Sequence, residues 1–286
     1  MADKIAIITD SCSDVPKELI EKYNIFMLPM VITCEDGQYK DGVDITVEDV
    51  YEKIKTEVPK TSSPQGEDVL NTFEKVKEQG YNKAIMVMLS SGLSGTYGFM
   101  KMLAEDEDEL EIEVYDSLQA SIGIGIIAIQ AAEYVAQGMD FETLKKKVEQ
   151  LIDGTKVFFC IQDLVLLQKG GRIGKAAAFL GSVLNIKPIL SFDDNDGEIY
   201  AAAKIRGMKQ TLATLVKLVD EYKVEGKKYN IVICGGGVPE LRAELEGMVN
   251  EHFPDYNMLV RADLGGALAV YLGFGLVGAG IQVLDE

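Results

Sequence analysis

Over its first 150 or so residues the chain alternates short apolar runs with amphipathic stretches, and this alternation restricts the fold more than any other feature. Ile5 to Thr9 reads as a strand, Pro16 to Tyr23 as a helix, and Phe26 to Thr33 as a further apolar strand. Glu67 to Gln79 places Val69, Phe73 and Val76 on one stripe, with Ser63 and Pro64 at its start and Gly80 closing it, which is helical periodicity with helical punctuation. Ala84 to Leu89 and Ile112 to Tyr115 read as strands, and about Gly95 to Ala104 and Ile124 to Gln137 as helices. The pattern predicts an α/β fold whose N-terminal sheet is rich in parallel strands and covered by helices on both faces. Ligands of such sheets bind outside the carboxyl ends of the strands.

The alternation loses its regularity around Asp153-Gly154, so the chain divides into an N-terminal α/β domain, residues 1–155, and a C-terminal mixed α/β domain, residues 156–286. The second half opens with an apolar run, Val157 to Ile161, followed by an uncharged helical stretch from Ala176 to Ile186. Ile189 to Phe192 and Ile199 to Ala203 form a hairpin turned by Asp193-Asp194-Asn195-Asp196-Gly197. A helix over Lys209 to Tyr222 and a strand over Asn230 to Cys234 come next. Leu264 to Leu284 carries no charge and is long enough to cross a bilayer, but it holds six glycines and ends in Asp285-Glu286. We read it as buried strands and turns, not as a membrane span.

Composition then narrows the partners. The 286 residues are 47% apolar, ample for a core, and 28 basic against 46 acidic side chains give a net charge of −18, which repels phosphate backbones and anionic lipid surfaces. Nucleic acid is therefore not expected. The acidic run Glu105 to Glu109 reads as a solvated loop. Cys12, Cys34, Cys160 and Cys234 lie far apart with no histidine near them, so neither a metal site nor a disulfide framework is indicated. Between Asp3-Lys4 and Asp10 stand only five apolar or small residues, too few for a signal-peptide core. The expectation is a cytoplasmic monomer without metal or cofactor.

Two hydroxyl-rich segments stand out, Thr61-Ser62-Ser63-Pro64 and Ser90-Ser91-Gly92-Leu93-Ser94-Gly95-Thr96-Tyr97, both read as strand-to-helix connections. Small donors beside a helix N-terminus make a site for an anionic head group, and they are also ordinary helix caps. A serine hydrolase is excluded: Gly92-Leu93-Ser94-Gly95-Thr96 is not G-x-S-x-G, and the only histidine, His252, lies among polar neighbours near a helix end. Gly170-Gly171-Arg172-Ile173-Gly174-Lys175 fails the Walker pattern, with Lys169 where glycine is needed and Ala176 where a hydroxyl is needed. Gly123-x-Gly125-x-x-Ala128 mimics a dinucleotide fingerprint, but Lys145-Lys146-Lys147 stands where the acidic partner belongs, and close helix packing explains the glycines equally. Gly235-Gly236-Gly237 fits a phosphate cradle or a plain turn.

What remains is an anion site of hydroxyls and amides with scattered arginines and adaptable apolar surface. Met86 and Met88 share one face of the strand entering Ser90, and Met27 and Met30 lie in another; methionine conforms to flexible ligands and fills cores alike. A long-chain acid fits this combination. Burying about fourteen methylenes at ~0.8 kcal/mol each gives about 11 kcal/mol before binding costs, whereas each hydrogen bond to a charged head adds about 1.5 to 3 kcal/mol. The tail supplies affinity and the head orientation. An enzyme acting on a small phosphorylated or acyl substrate, and a binder of another amphipathic anion, are the rival readings.

A series of motifs, in order over nearly the whole chain, resembles the DegV family. They are Thr9-Asp10-Ser11-Cys12-Ser13-Asp14-Val15-Pro16, Tyr39-x-Asp41-Gly42-x-Asp44-Ile45, Thr61-Ser62-Ser63-Pro64, Ser90-Ser91-x-x-Ser94-Gly95-Thr96-Tyr97, Asp116-Ser117, Gly170-Gly171-Arg172-Ile173 and Lys204-x-Arg206-Gly207. The resemblance implies a two-domain α/β fold, a fatty acid in an apolar tunnel and no catalytic residue of the chain's own. It implies a carboxylate held by Thr61 and Ser94 with Ser62 and the amides around Gly95, and presented to the catalytic subunit of a bacterial fatty acid kinase for phospholipid synthesis. Arg172 and Arg206 would stand on the rim, facing an acyl phosphate or the kinase. The chain departs from the pattern with Cys12 at a hydroxyl position, Ser63 where Gln is common, and Tyr271-Leu272-Gly273-Phe274-Gly275 in place of H-x-G-P-G. Tyr271 offers one hydroxyl where the family has an imidazole, a change that bears on phosphotransfer more than on the carboxylate.

Overall fold

The computed structural model describes residues 3–179 and 187–285. Among them, seven strands precede Gly154: β1 (Ile5–Asp10), β2 (Phe26–Leu28), β3 (Val31–Cys34), β4 (Gly37–Lys40), β5 (Lys60–Ser62), β6 (Lys83–Met88) and β7 (Glu111–Asp116). Six helices run between and after them: α1 (Lys17–Tyr23), α2 (Val47–Lys53), α3 (Gly66–Glu78), α4 (Thr96–Glu105), α5 (Ile122–Ala136) and α6 (Phe141–Asp153). The order β2-β1-β6-β7 makes one wholly parallel sheet. Strand alternation decides its two faces. Ala6, Ile8, Ala84, Met86 and Met88 pack with Val69, Phe73 and Val76 of α3 and Met100 of α4. Ile5, Ile7, Ile85 and Val87 pack with α5 on the other face.

Phe26 to Thr33 is not one strand. β2 joins the parallel sheet, whereas β3 is the centre of a second, antiparallel sheet in the order β4-β3-β5. Pro29 and Met30 separate them, and proline has no N–H to continue a ladder. Continuous apolar character hides the change of sheet.

From Thr155 onward the described strands are β8 (Thr155–Cys160), β9 (Lys187–Phe192), β10 (Ile199–Ile205), β11 (Lys228–Gly236), β12 (Met258–Asp263) and β13 (Leu276–Leu284). The helices are α7 (Val165–Lys169), α8 (Met208–Asp220), α9 (Pro239–His252) and α10 (Gly266–Leu272). They build a six-stranded mixed sheet, β10-β9-β8-β13-β11-β12, with the expected β9–β10 hairpin at one edge. Residues 174–179 form 3-10 turns where a helix from Ala176 was expected, and the rest of that stretch lies outside the described residues. The uncharged segment from Leu264 becomes helix α10 and the buried strand β13, so it contains a helix as well as the expected strand and turns. Gly280 is required in β13: a Cβ there would lie 2.6 Å from the Lys156 carbonyl oxygen.

α5 sits between the two large sheets, and eleven of its residues, Ile122 to Ala132, are buried. One buried cluster joins its side chains to Ile5, Ile7 and Val87 on one side and to Val157, Phe159 and Val232 on the other. Apart from Gln130, which accepts from Asn230, the buried stretch is apolar all round and belongs in such a place. Gly125 follows from the packing, because a Cβ on it would stand 2.5 Å from the Ser13 carbonyl oxygen. No described helix is long and apolar enough to cross a membrane.

Candidate functional site

Three parallel strands end at the same edge, and the residues just beyond them form one wall of a cavity: Cys12 after β1, Leu89, Leu93 and Ser94 after β6, and Ala120 after β7. Phe159, Phe192 and Ile199 of the mixed sheet face them, with Leu167 of α7 and Ala267, Leu268, Tyr271 and Leu272 of α10 completing the lining. The cavity is small, about 40 Å3, so it is a thin seam and not a chamber. Its polar groups gather where the lining is half-exposed, at Thr61, Ser94, Arg172 and Tyr271. The remaining lining from Cys12 to Ile199 is almost wholly buried and apolar, apart from the half-buried Leu93.

The hydroxyls are mutually engaged. Thr61 Oγ1 and the Tyr271 hydroxyl lie 2.8 Å apart, joining residues 210 positions distant in the chain. Ser94 Oγ stands 2.8 Å from Thr96 Oγ1, which is 3.0 Å from Ser63 Oγ. The Thr96 amide donates to Ser94 Oγ at 3.3 Å, a local turn just before α4, whose N-cap is Gly95 and carries no side-chain cap bond. Arg172 donates from Nε to the Leu93 carbonyl at 3.2 Å and from Nη1 to the Gly170 carbonyl at 2.7 Å. Its guanidinium carbon lies 5.1 Å from the centroid of the Tyr271 ring, a cation–π contact. Gly170 makes room for that ring, since a Cβ would come within 2.3 Å of it.

Four of the seven residues named from the sequence, Thr61, Ser94, Arg172 and Tyr271, thus line one seam. Ser62, Gly95 and Arg206 do not line it. Thr61 and Ser62 belong to β5, whose alternation turns Thr61 inward and leaves Ser62 exposed. Thr61 is consequently no helix-terminal donor, and its segment does not end a strand of the parallel sheet as expected. Gly95 is an exposed N-cap of α4. Arg206 follows β10 at the end away from Ile199, roughly 20 Å along the strand from the seam at ~3.3 Å per residue, and is exposed. Met86 and Met88 face α3 and α4, away from the seam, as core filling. Met30 does line it.

Buried carboxyls fasten the loops around the seam. Asp10 accepts from the amides of Cys12 and Leu89, both at 2.9 Å, and burial pushes its pKa up to about 6. The Cys12 thiol is raised by burial and by Asp10, so it stays protonated and is no nucleophile. Asp14 accepts from Ser121 Oγ and, at 2.8 Å, from the Gly265 amide; Asp41 accepts from Ser11 Oγ at 2.7 Å and from the amides of Gly266 and Ala267. The entry to α10 is therefore held by two acids from the first half of the chain.

Elsewhere, Cys34, Asp36 and Glu57 come close enough to hold a cation, but Lys53 Nζ already lies 2.7 Å from Asp36 and 3.7 Å from Glu57. His252 is a half-exposed partner of Asp220 at 3.3 Å. Sequence reasoning missed the aromatic wall of Phe159 and Phe192, which carries no signal beyond that of ordinary core.

Parallel and mixed sheets packed on a shared helix, with a hydroxyl-mouthed apolar seam at their junction, define a mixed α/β architecture. The family model described as "Uncharacterised protein, DegV family" matches residues 4–283, and the chain belongs to that family. It is 37% identical over 284 residues to a DegV domain-containing protein of Clostridium acetobutylicum, covering 99% of this chain and 100% of that one. A fatty-acid-binding DegV family protein from Thermus thermophilus superposes with a TM-score of 0.90 at 28% identity, covering 98% of this chain and 100% of that one. DegV of Bacillus subtilis, described as a fatty acid binding protein, superposes at 0.88 with 28% identity and coverage of 99% and 100%.

Proposed function

We propose that this chain binds a long-chain fatty acid, with its carboxylate at the hydroxyls of Thr61 and Ser94 and its tail in the seam behind them. The observation that carries the reading is the convergence of Thr61, Ser94 and Tyr271, from three distant parts of the chain, on the half-exposed end of an otherwise apolar cavity. Structural relatives described as fatty-acid-binding support it. On binding, the carboxylate would take over hydrogen bonds that Thr61 and Tyr271 now share, and Leu, Ile and Met side chains would rotate to admit the tail. Arg172 would contribute positive charge beside the head while holding the Leu93 and Gly170 carbonyls.

We further read the chain as two domains, residues 1–155 and 156–286, with the seam between them, acting as a cytoplasmic monomer. In this reading it performs no chemistry of its own and offers the head group to a fatty acid kinase subunit for phospholipid synthesis, with Tyr271 beside the head and Arg206 on the kinase-facing surface. Native mass spectrometry of protein purified from cells, with calorimetry against palmitate and oleate, tests the binding. A co-purifying acid and saturable binding are expected; neither appearing would remove the proposal. Phosphorylation of the bound acid by an added kinase subunit and ATP tests presentation separately.

A further inference from the structure

The side chains around the seam differ in what they can yield. Leucine, isoleucine and methionine can change rotamer to make space, but Phe159 and Phe192 are stacked on each other, with centroids 5.5 Å apart and planes 29° from parallel. Phe159 belongs to β8, where it pairs with Gly278 of β13 on one side and Leu190 of β9 on the other, so its backbone is fixed within the sheet. Phe192 ends β9 opposite Ile199. Its carbonyl accepts a 2.6 Å hydrogen bond from Lys156 Nζ, and Lys156 is only 2% exposed. The same ammonium pairs with Asp194 in the hairpin turn and lies 5.3 Å and 5.7 Å from the Tyr200 and Tyr222 rings. A buried ammonium is unfavourable unless it is paired and hydrogen-bonded. Here its donors secure one backbone position of the cavity wall and the turn beside it.

We propose that the Phe159–Phe192 stack, pinned by Lys156, is the tail-selecting wall of the cavity and favours straight, saturated hydrocarbon chains over kinked or branched ones. The inference rests on the fatty-acid reading above. A slender tail passes a flat, rigid wall in a thin seam, whereas a cis double bond or a methyl branch needs lateral room that the rings cannot give. Forcing extra volume against a fixed wall weakens binding roughly tenfold or more. Phe159 and Phe192 touch the tail; Lys156 is a positioning residue that acts through the Phe192 carbonyl.

The test is competitive binding of palmitic acid, palmitoleic acid and a methyl-branched acid of equal length to the full chain. The wild type should favour palmitic acid roughly tenfold. Phe192→Ala should bring the ratio close to one, and Lys156→Met, with both rings retained, should lower it at least about threefold as the strand end loosens. Thermal midpoints report whether each variant folds, and Phe192→Leu or Phe159→Leu replaces any that does not. If the wild type binds none of the three acids, the fatty-acid reading and this inference fall together. If it binds all three equally, or if a folded Phe192 or Phe159 variant keeps the wild-type ratio, the wall is not selective and only the present inference falls. A Lys156→Met protein with an unchanged ratio removes the pinning role.

Discussion

Thr61 and Ser94 make different demands on their surroundings, so their loss should read out differently. Thr61→Val keeps the shape of the side chain and removes the partner of Tyr271, whereas Ser94→Ala also removes the hydroxyl that meets Thr96 at the start of α4. At about 1.5–3 kcal/mol per hydrogen bond to a charged group, each change should weaken fatty acid binding roughly ten- to a hundredfold by calorimetry. Ser94→Ala should also lower the thermal midpoint, because the buried Thr96 loses a partner for its hydroxyl and for its amide. Unchanged affinity in both would remove these residues from the head-group site. Asp10 gives a prediction about pH. Its pKa rises from 3.8 to about 6 on folding, so the native state holds the proton more tightly than the unfolded chain. The stability this contributes is present in full below pH ~4 and lost as pH climbs through about 6, a change of about 3 kcal/mol. Chemical denaturation of wild type and Asp10→Asn at pH 4 and pH 7 should show the wild type losing about that much more than the variant on going to pH 7. Equal losses would mean that Asp10 is not so perturbed. At this scale Thr61 and Ser94 stood out because they lie in hydroxyl-rich runs, whereas Arg172 and Tyr271 came only from the family resemblance. Phe159 and Phe192 did not stand out, since a buried aromatic in a strand looks the same whether it faces a ligand or a core. Ser62 was misjudged because three residues of strand, Lys60–Ser62, are too few to reveal a period of two.

Among the elements, β1, β6 and α3 could be read from sequence because their periodicity is pure: every second residue of a strand, or the Val69, Phe73 and Val76 stripe of a helix, meets one core. Phe26 to Thr33 failed for the opposite reason, since both β2 and β3 are apolar and only their partners differ. The short α10 was hidden among glycines that serve its flanking turns, with Gly273 at φ 66° and Gly275 at φ 98°. In α5, by contrast, a glycine marks contact. Gly125→Ala would gain about 1 kcal/mol in helix propensity, yet the new methyl would stand 2.5 Å from the Ser13 carbonyl oxygen, where backbone must move. Overpacking of this kind costs about 1–3 kcal/mol, so the net change should be destabilising and measurable as a lower denaturation midpoint. Because Ser13 follows Cys12 of the seam, fatty acid affinity should fall as well. A variant more stable than wild type would show that the contact between α5 and the loop after β1 yields freely.

For the molecule as a whole, the separate hydrogen-bonding of the sheets and the sharing of their core point in opposite directions. No described strand pairs across Gly154, which favours independent halves. Yet α5 fills the space between the sheets, and one buried cluster extends from Ile5 to Leu284. Unfolding either half alone would expose the face of α5 that the other half covers, at about 25 cal/mol per Å2 of apolar surface, while Asp14 and Asp41 would lose the amides of Gly265 to Ala267. Backbone pairing is local, but the apolar term spans the junction and should dominate. Thermal unfolding is therefore expected as one transition, with far-ultraviolet circular dichroism and tyrosine fluorescence coinciding; the chain has no tryptophan to complicate the second signal. A fatty acid seated between the halves should move both signals upward together, by about 2.7 kcal/mol of added stability at a hundred times its dissociation constant. Two separated transitions, or a ligand that shifts only one, would show that the helix belongs energetically to a single sheet and that the seam is not what joins the halves.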